Sequence, residues 1–323
     1  MAASRNSAKT DLVERVGAIL ATRLHPDDTL CVGLSGGCDS IVLLHILSRT
    51  PFKPRVSALH VHHGLSPNAD AWAAFCLDYC GQLDIPCQIR SVQIDLGTGL
   101  GLEAAARAAR YAELRTCGAE VLLLAHHQGD QAETILFNLL RGSGIAGAAG
   151  IPPERTLGGL RMLRPLLGIS RREIEAYAKA HELSWVEDES NADTKYVRNF
   201  LRHDVMPLLE QRFPAVASVL AQSAAHFAEA DALMAELAEE DWGRVAEGEA
   251  ARVDALRRLS VPRLKNLLRY RLRILGWQQP VAARLEEFAR QLMTAAPDRH
   301  PSLHLPDGTL RLSRGRLHWL PVE

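Results

Sequence analysis

Short apolar, β-prone segments alternate with helical segments through the first half of the chain. Four segments have the composition of buried strands, at 29–34, 56–61, 88–94 and 121–125. Each is followed by a segment of helical character, at 40–47, 69–83, 102–115 and 130–140. Because a helix between two strands joins them in parallel, this alternation predicts an α/β fold with a doubly wound parallel sheet.

The second half of the chain has a different pattern. Residues 142–165 are rich in Gly and Pro, and we expect a loop there. Helices are predicted at 171–181, 196–210, 215–241, 262–275 and 281–293, and a β-hairpin is predicted at Asp307-Gly308. We place the domain boundary near Pro214. The doubly wound domain then spans residues 1–213, and a smaller, mainly helical domain spans residues 214–323.

Composition narrows the classes of protein that fit. No apolar run is long enough to span a membrane, and the N-terminus lacks the apolar core of a signal peptide, so we expect a cytoplasmic protein. The cysteines form no C-x-x-C pair, which argues against a zinc or iron–sulfur site. The net charge of −1 conceals a segregation, since acids dominate residues 227–250 and basic residues dominate 251–273. A basic face in the second domain is therefore compatible with a near-neutral chain.

One loop has the character of a phosphate site. The residues Ser35-Gly36-Gly37-Cys38-Asp39-Ser40 follow a predicted strand and begin a helix. Glycines allow a tight turn that presents backbone N–H groups, and the start of a helix favours an anion. Asp39 would repel phosphate alone but suits a Mg²⁺ ion that bridges phosphates. The Gly-Lys-Ser/Thr ending of a Walker loop is missing, which disfavours a kinase or GTPase.

Two further polar clusters follow predicted strands, at His60–His63 and at 126–133. Ligands of doubly wound sheets bind beyond the carboxyl ends of the strands, so we expect both clusters and the loop to line one crevice. The histidines of H-x-H-H alternate between the faces of a strand, so they cannot all bind one metal ion. We expect them to line the crevice instead.

The loop resembles the signature of the PP-loop ATP pyrophosphatases, which cleave ATP between the α and β phosphates. Further motifs are similar to those of the bacterial tRNA(Ile)-lysidine synthase family: His60-Val-His-His-Gly-Leu65, Glu103-Ala-Ala-Ala-Arg107-Ala-Ala-Arg110-Tyr111, Ala125-His-His-Gln-Gly-Asp130-Gln-Ala-Glu133-Thr134, Arg141-Gly-Ser-Gly144, Arg164-Pro-Leu-Leu167, Asp188-Glu-Ser-Asn191 and Tyr196-Val-Arg-Asn199. The resemblance covers residues 28–212 and is looser beyond them. Gly129 departs from it, because the family usually has an acid there beside the acid at Asp130.

The resemblance implies a modification of the wobble cytidine in the minor isoleucine tRNA with a CAU anticodon. ATP, with Mg²⁺, adenylates the oxygen on carbon 2 of the base, and pyrophosphate leaves. Free L-lysine then attacks that carbon through its ε-amine, and AMP leaves. The product, lysidine, reads the codon AUA instead of AUG. The resemblance thus makes Ser35, Gly36, Gly37, Cys38, Asp39 and Ser40 the ATP-binding residues, with Asp39 as a catalytic metal ligand.

Asp130 and Glu133 are the candidates for binding the lysine amine and accepting its proton. The amine has a pKa of about 10.4, so a carboxylate must hold the ammonium and later accept its proton. Residues three apart at the start of a helix share a face, which suits both acids to this task. Either could hold Mg²⁺ instead, and both could simply complement the helix dipole.

Arginines supply the remaining candidates. By resemblance, Arg107 and Arg110 hold lysine or nucleotide, while surface salt bridges are the alternative. His126 and His127 could contact phosphate or the base, or be structural. Candidates for tRNA contact are Arg141, Arg198 and Arg202 in the first domain and Lys265 and Arg269, with Arg258 and Arg273, in the second. The alternative for the second group is a solvated helix face paired with the acids before it.

Three other functions are compatible with a PP-loop. A tRNA thiolase usually needs a C-x-x-C pair, which is missing. An amide-forming synthetase needs a glutaminase domain to supply ammonia, and none is recognisable. A non-catalytic nucleotide-binding module would have no use for Asp130, Glu133 or a basic second domain. The sequence predicts no membrane partner and leaves open whether the chain forms a homodimer.

Overall fold

The computed structural model describes residues 11–64, 66–93, 102–187, 189, 195–296 and 298–322, with side chains from 105 onward in the third range. The chain divides into two compact units, Met1–His226 and Phe227–Glu323. One helix, Val216–Val245, continues through this division, so the boundary expected near Pro214 stays a prediction. Most of the motif at 188–191 lies outside the described residues, as do Leu65, the side chain of Glu103 and the end of the predicted strand 88–94.

The first unit is built on a six-stranded sheet. Its strands are β1 (Leu30–Gly33), β2 (Val56–His62), β3 (Cys87–Ser91), β4 (Val121–Leu123), β5 (Glu154–Leu157) and β6 (Leu160–Leu163). They lie in the order β3-β2-β1-β4-β6-β5, and all neighbours are parallel except β5 and β6. The predicted α/β fold with a doubly wound parallel sheet is confirmed. The change of direction on either side of β1 creates the crevice where such sheets bind ligands.

Helices cover the sheet on both faces. They are α1 (Leu12–Ala21), α2 (Cys38–Ser48), α3 (Ala69–Gln82), α4 (Leu102–Leu114), α5 (Gln128–Leu140), α6 (Ile145–Ala148), α7 (Arg171–Ala180), α8 (Val197–Phe200) and α9 (Met206–Arg212), with a π-helical turn at Leu201–Val205 before α9. Along β1, Leu30 and Val32 pack into one buried cluster while Cys31 packs into another. Burial on both faces explains why the strands are uniformly apolar rather than alternating.

The prediction of a loop at 142–165 is wrong. This segment contains α6 and the antiparallel hairpin of β5 and β6, and β6 pairs in parallel with β4. Gly158 and Gly159 form the hairpin turn with φ of 58° and 86°. A two-residue turn that matches the twist of its strands needs positive φ at both positions. The glycines therefore indicate a tight turn between short strands.

The second unit packs helices against an antiparallel sheet. Its helices are α10 (Val216–Val245, shared with the first unit), α11 (Val253–Leu256), α12 (Val261–Ile274) and α13 (Ala282–Thr294). Its strands are β7 (Ala246–Glu247), β8 (Ala250–Arg252), β9 (Ser302–Leu305), β10 (Gly308–Ser313) and β11 (Arg316–Pro321), in the order β7-β8-β11-β10-β9. The predicted helices and hairpin are present, but β7, β8 and β11 were not predicted. None of the described helices of either unit is long and apolar enough to cross a membrane.

Candidate active site

The predicted phosphate loop joins β1 to α2, and it has a glycine at a position where the backbone conformation requires one. Gly36 has φ of +85°, and a Cβ atom there would lie 2.8 Å from Cγ2 of Val186. The carbonyl of Gly36 accepts a hydrogen bond from the Val186 N–H at 3.0 Å. The turn is therefore both left-handed and pressed against a neighbouring segment, and only glycine fits it without strain.

Hydroxyl groups hold the loop closed. The Oγ atoms of Ser35 and Ser40 lie 3.1 Å apart, and Ser40 donates to the Gly37 carbonyl at 2.9 Å. Gly37 is the N-cap of α2, and no side chain caps the helix there. The first N–H groups of α2 are thus left for an anion, as expected of a phosphate site at a helix N-terminus.

A cavity of about 310 Å³ opens beside this loop. It lies at the carboxyl ends of β1, β2 and β4. The phosphate loop, the cluster at His60–His63 and His126 line it together, as predicted, but Asp130 and Glu133 of the third cluster are not among its lining residues. Its polar lining comes from Ser35, Asp39, Ser40, His60, His62, His63, Arg110, Tyr111 and His126. Trp72, Leu59, Val61 and Val186 supply apolar walls. An apolar cavity with a few convergent polar groups is typical of a small-molecule site.

The histidines at the carboxyl end of β2 have separate partners. Nδ1 of His60 donates to the Leu34 carbonyl at 2.9 Å, and burial lowers the pKa of His60. Nε2 of His62 lies 2.9 Å from an oxygen of Asp70. Within the described residues no cluster of three His, Cys, Asp or Glu side chains could hold a metal ion. His60 is thus a neutral residue that links β1 to β2 at the cavity.

The start of α5 has an unusual cap. His127 is the N-cap, and its Nδ1 accepts from the Gly129 N–H at 2.9 Å. Asp130 accepts from the His127 N–H at 2.9 Å, which completes a capping box. A Cβ atom on Gly129 would lie 2.7 Å from Cε1 of His127. Gly129, the departure from the family pattern, therefore leaves the space that this imidazole occupies.

The His127 ring lies between two of the predicted carboxylates. Its Nδ1 is an acceptor, so the proton of a neutral ring is on Nε2. That atom lies 3.7 Å from Asp130 Oδ2 and 3.9 Å from Asp39 Oδ2. Burial alone raises the pKa of Asp130, but the His127 ring, the His127 backbone N–H and the Arg202 guanidinium outweigh it and hold this pKa below its usual value. Asp130 is therefore ionised, and His127 lies between it and the phosphate loop.

Arg202 bridges Asp130 and Glu133. Its Nε and Nη2 donate to the two oxygens of Glu133 at 2.8 Å each, and Nη2 also donates to Asp130 at 2.9 Å. The two acids thus share one helix face, and Glu133 is buried, with 7% of its side chain exposed. Arg198, from α8, donates to Thr134 at 3.2 Å. The predicted tRNA contacts of Arg198 and Arg202 are untested by this geometry and stay predictions.

The predicted arginines of α4 lie at the other side of the cavity. Arg110 lines it, and burial lowers the pKa of Arg110, with a smaller contribution from Arg107. Arg107 is exposed, stacks on the Tyr111 ring at 5.0 Å and donates to its hydroxyl at 3.3 Å. Burial also lowers the pKa of His126 to about 3, against the opposing effect of Asp130. His126 is therefore neutral at physiological pH.

Arg171 was not predicted as a site residue. Its Nη1 donates to Asp39 Oδ1 at 2.6 Å, and its Nε donates to Glu175 at 2.7 Å. Arg171 is the first residue of α7 and follows the capping residue Ser170. Nothing in the local pattern separates it from an ordinary solvated helix residue. Asp39 thus has a cationic partner that the chain supplies from far along the sequence.

The remaining candidates for tRNA contact differ in whether their charges are paired with an acid. Arg141 is exposed and lies over the Phe137 ring at 5.0 Å. Lys265 forms an ion pair with Glu286. Arg269 is exposed, and within the described residues its guanidinium has no partner. The predicted role of all three in tRNA binding stays a prediction.

A cavity beside a Ser-Gly-Gly-x-Asp-Ser loop on a doubly wound sheet defines a PP-loop enzyme that uses ATP. A family model described as "PP-loop domain" matches residues 8–209, and one described as "TilS substrate binding domain" matches residues 252–318. The tRNA(Ile)-lysidine synthase of Alkalilimnicola ehrlichii is 46% identical over 303 residues, which is 93% of this chain and 68% of the relative. That of Nitrosomonas europaea is 42% identical, over 100% of this chain and 72% of the relative.

The chain belongs to the tRNA(Ile)-lysidine synthase family of ATP-using ligases. A solved structure shows the same fold at lower identity. The U34-tRNA thiolase NcsA of Methanococcus maripaludis superposes with a TM-score of 0.56 at 18% identity, over 68% of this chain and 78% of that one. At this identity the likeness concerns the fold of the PP-loop unit alone.

Proposed function

We propose that this enzyme joins free L-lysine to carbon 2 of the wobble cytidine in the isoleucine tRNA with a CAU anticodon, at the expense of ATP. One observation carries the proposal: His127 Nε2 lies within 3.9 Å of both Asp39 in the phosphate loop and Asp130, whose neighbour Glu133 is on the same face. A site for nucleotide phosphates is thereby contiguous with a pair of carboxylates suited to an amine.

In the first half-reaction, oxygen 2 of the cytidine attacks the α-phosphorus of ATP. The new O–P bond forms as the bond from that phosphorus to the bridging oxygen breaks, and pyrophosphate leaves with the electron pair. The loop from Ser35 to Ser40 and the uncapped start of α2 would hold the phosphates. Arg171, which already binds Asp39 at 2.6 Å, lies where it can offset their negative charge.

The residues present fit a Mg²⁺ ion brought by ATP. Mg²⁺ is commonly held by one or two carboxylates together with substrate phosphates and water, so a preformed cage of protein ligands is unnecessary. Asp39 and Asp130 are the two carboxylates nearest the loop, on either side of His127. A bound Mg²⁺ ion would neutralise charge that develops on the phosphates.

In the second half-reaction, the lysine ε-amine attacks carbon 2 of the adenylated base. The C–N bond forms, the bond from carbon 2 to its oxygen breaks, and AMP leaves with that oxygen. The ammonium must first lose a proton, for which Asp130 or Glu133 is the acceptor. Arg202 already shows that this pair binds a cationic nitrogen, at 2.8–2.9 Å. Arg110, which lines the cavity, would hold the lysine carboxylate, with Arg107 nearby on the same helix.

The rival thiolase reaction needs reactive sulfur at the site, and none of the described residues that line the cavity is a cysteine. Cys38 is the cysteine of the phosphate loop, and it is buried. Burial raises the pKa of its thiol to about 11, so little thiolate forms at neutral pH. Lysine transfer is therefore the better match to the carboxylates and the arginines of the site. The place where ATP, free lysine and tRNA all occur is the cytoplasm, which is the expected location.

The test follows labelled lysine into tRNA. The enzyme is incubated with ATP, Mg²⁺, labelled lysine and unmodified isoleucine tRNA with the CAU anticodon. We expect ATP-dependent labelling with one AMP released for each lysine incorporated. Methionine tRNA, which has the same anticodon, is the matched control and should remain unlabelled. Absence of label from the isoleucine tRNA, with AMP still formed, contradicts the proposal.

A further inference from the structure

The sheet of the second unit has two chemically different faces. Along β9 and β10, buried residues alternate with more exposed ones, and in β11 the buried Leu317 lies between the less buried Arg316 and His318. Leu303, Leu310, Leu312 and Leu317 point inward and join the core of the unit. Because successive side chains of a strand point to opposite sides, their neighbours form a second face on the outside of the sheet. Within the described residues, the arginines of that outer face, Arg252, Arg311 and Arg316, are exposed.

The outer face is rich in positive charge. The strand register places Arg311 opposite His318 and Arg316 opposite Arg252, while His304 lies on the neighbouring strand β9. We call these five residues the basic sheet face. Arg252 and Arg311 lie two strands apart, which corresponds to about 9–10 Å. The cations are therefore spread over a flat surface rather than gathered at one point.

A single acid opposes these cations on the described strands of that face. Glu247 of β7 pairs with Arg316, whose Nε lies 3.0 Å from Oε2 of Glu247. Arg311 has no charged partner among the described residues. Arg252 donates to the backbone carbonyl of Arg244 at 3.4 Å, and its positive charge helps to lower the pKa of Glu247, behind the larger effect of Arg316. Ser302 and Thr309, on the same face, add hydroxyl groups that can donate to phosphate.

The basic helix α12 contrasts with this face. Arg263 is held by Asp241, Lys265 by Glu286, and Arg273 by Asp231 at 2.8 Å. Arg271 is buried between aromatic rings, 3.7 Å from the centre of the Trp242 ring. Most of the positive charge of α12 is thus neutralised or buried inside its own unit. Within the described part of α12, Arg269 keeps an unpaired guanidinium, whereas the basic sheet face has three arginines against the single acid Glu247. Counterion release requires cations that are free to replace salt ions on phosphate, and the sheet face has the larger excess of them.

We propose that the basic sheet face binds the phosphate backbone of the tRNA. The inference rests on the proposed function, which supplies the polyanion, and it adds the surface. Free arginines on a broad, flat surface suit successive phosphates, which fix the position of a nucleic acid without reading its sequence. Specificity for the isoleucine tRNA is therefore not assigned to this face.

The test measures tRNA affinity at several salt concentrations for Arg252→Glu, Arg311→Glu and the control Arg290→Glu. Arg290 is an exposed arginine of α13, off the sheet, and its replacement changes the net charge equally. We expect each sheet variant to weaken binding by roughly tenfold and to reduce the salt slope by about one unit, since each loses one phosphate contact. The control should retain both values. Unchanged affinity and slope in the sheet variants, or equal weakening by the control, overturns the proposal.

A second variant is expected to change tRNA binding in the opposite direction. Glu247→Gln removes the acid that pairs with Arg316, so tRNA binding should tighten by a few-fold and the salt slope should steepen. Weaker or unchanged binding in this variant contradicts the proposal. The proposed function and the role of the basic sheet face can be contradicted independently of each other. A wild-type enzyme that binds tRNA but forms no lysidine contradicts the proposed function, whereas unchanged affinity in the arginine variants contradicts only the basic sheet face.

Discussion

Arg202 donates two hydrogen bonds to Glu133, one to each carboxylate oxygen, at 2.8 Å. Asp130 accepts a third from the same guanidinium at 2.9 Å. A buried carboxylate with this bidentate geometry is fixed in orientation before any substrate arrives. The acids that we assign to the lysine amine are therefore positioned by an arginine from a separate helical segment.

Replacing Glu133 with Gln tests this assignment. The variant keeps the shape of the side chain but loses its charge, so the lysine ammonium loses a charge-assisted contact. We expect the KM for lysine to rise by about tenfold or more, which corresponds to roughly 1.5–3 kcal/mol, with a smaller effect on ATP. Steady-state kinetics with each substrate varied in turn decide the matter. Glu113→Gln, on α4, is the control. A fall in ATP affinity with unchanged lysine kinetics would make Glu133 a nucleotide or metal ligand instead.

Replacing Asp39 with Ala tests the metal role. Loss of this carboxylate should reduce AMP formation by about a hundredfold or more, because metal-assisted charge stabilisation contributes several kcal/mol. Glu175→Gln is the matched control, since it removes the other carboxylate bound to Arg171, at 2.7 Å, and leaves the loop intact. The control should keep most of its activity. Near-normal turnover in a folded Asp39→Ala variant refutes the magnesium role.

Replacing Gly36 with Ala tests the geometry of the loop. Its φ of +85° costs another residue about 1–2 kcal/mol, and the new Cβ atom would lie 2.8 Å from Val186. We expect a lower Tm and weaker ATP binding. Gly81→Ala is the control, because this helical glycine has open space around it and no positive φ. It should stabilise the protein by roughly 0.5–1 kcal/mol. Equal behaviour of the two variants would show that the loop is not constrained.

The pH dependence of stability tests the environment of His126. Burial lowers its folded-state pKa from 6.5 to about 3, so the unfolded chain binds more protons between these values. Stability is therefore complete above pH 6.5 and falls as the pH drops below it. In His126→Gln this dependence should weaken by up to about 1.4 kcal/mol per pH unit, as measured by denaturant unfolding from pH 7 to 5. His60 and His45, whose pKa values are lowered in the same direction, leave a residual slope.

The exposed His226→Gln variant is the control for that measurement. It should follow the wild-type curve. Parallel curves for His126→Gln and the wild type would show that His126 is readily protonated in the folded protein.

Local sequence was enough to predict four strands of the sheet and the phosphate loop, whereas β5 and β6 lie in a segment that we expected to be a loop. The order of these four strands and their helices follows from short apolar runs, and Gly36 is required by the positive φ of the loop backbone. Parallel strands also place their carboxyl ends together, which is why three separate clusters could be predicted to meet at one cavity.

Ion pairs between residues that are far apart in the sequence could not be predicted. Arg171 lies 132 residues from its partner Asp39, and Arg202 lies 69 residues from Glu133. No local pattern specifies which arginine a carboxylate will meet across the fold. For α12, the sequence left open whether the basic residues contact tRNA or pair with the acids before them, and in the structure they are largely paired with acids of α10 and α13. The short strands β7 and β8 carry too few residues to show a period of two.

The central claim is that AMP is attached to the oxygen of the wobble cytidine before lysine arrives. Isoleucine tRNA that carries oxygen-18 at carbon 2 of that cytidine tests it most directly. After turnover with ATP, Mg²⁺ and lysine, mass spectrometry of the products should find the label in AMP and lysidine in the tRNA. Unlabelled AMP, with the oxygen-18 retained in the tRNA or released into water, would contradict the account.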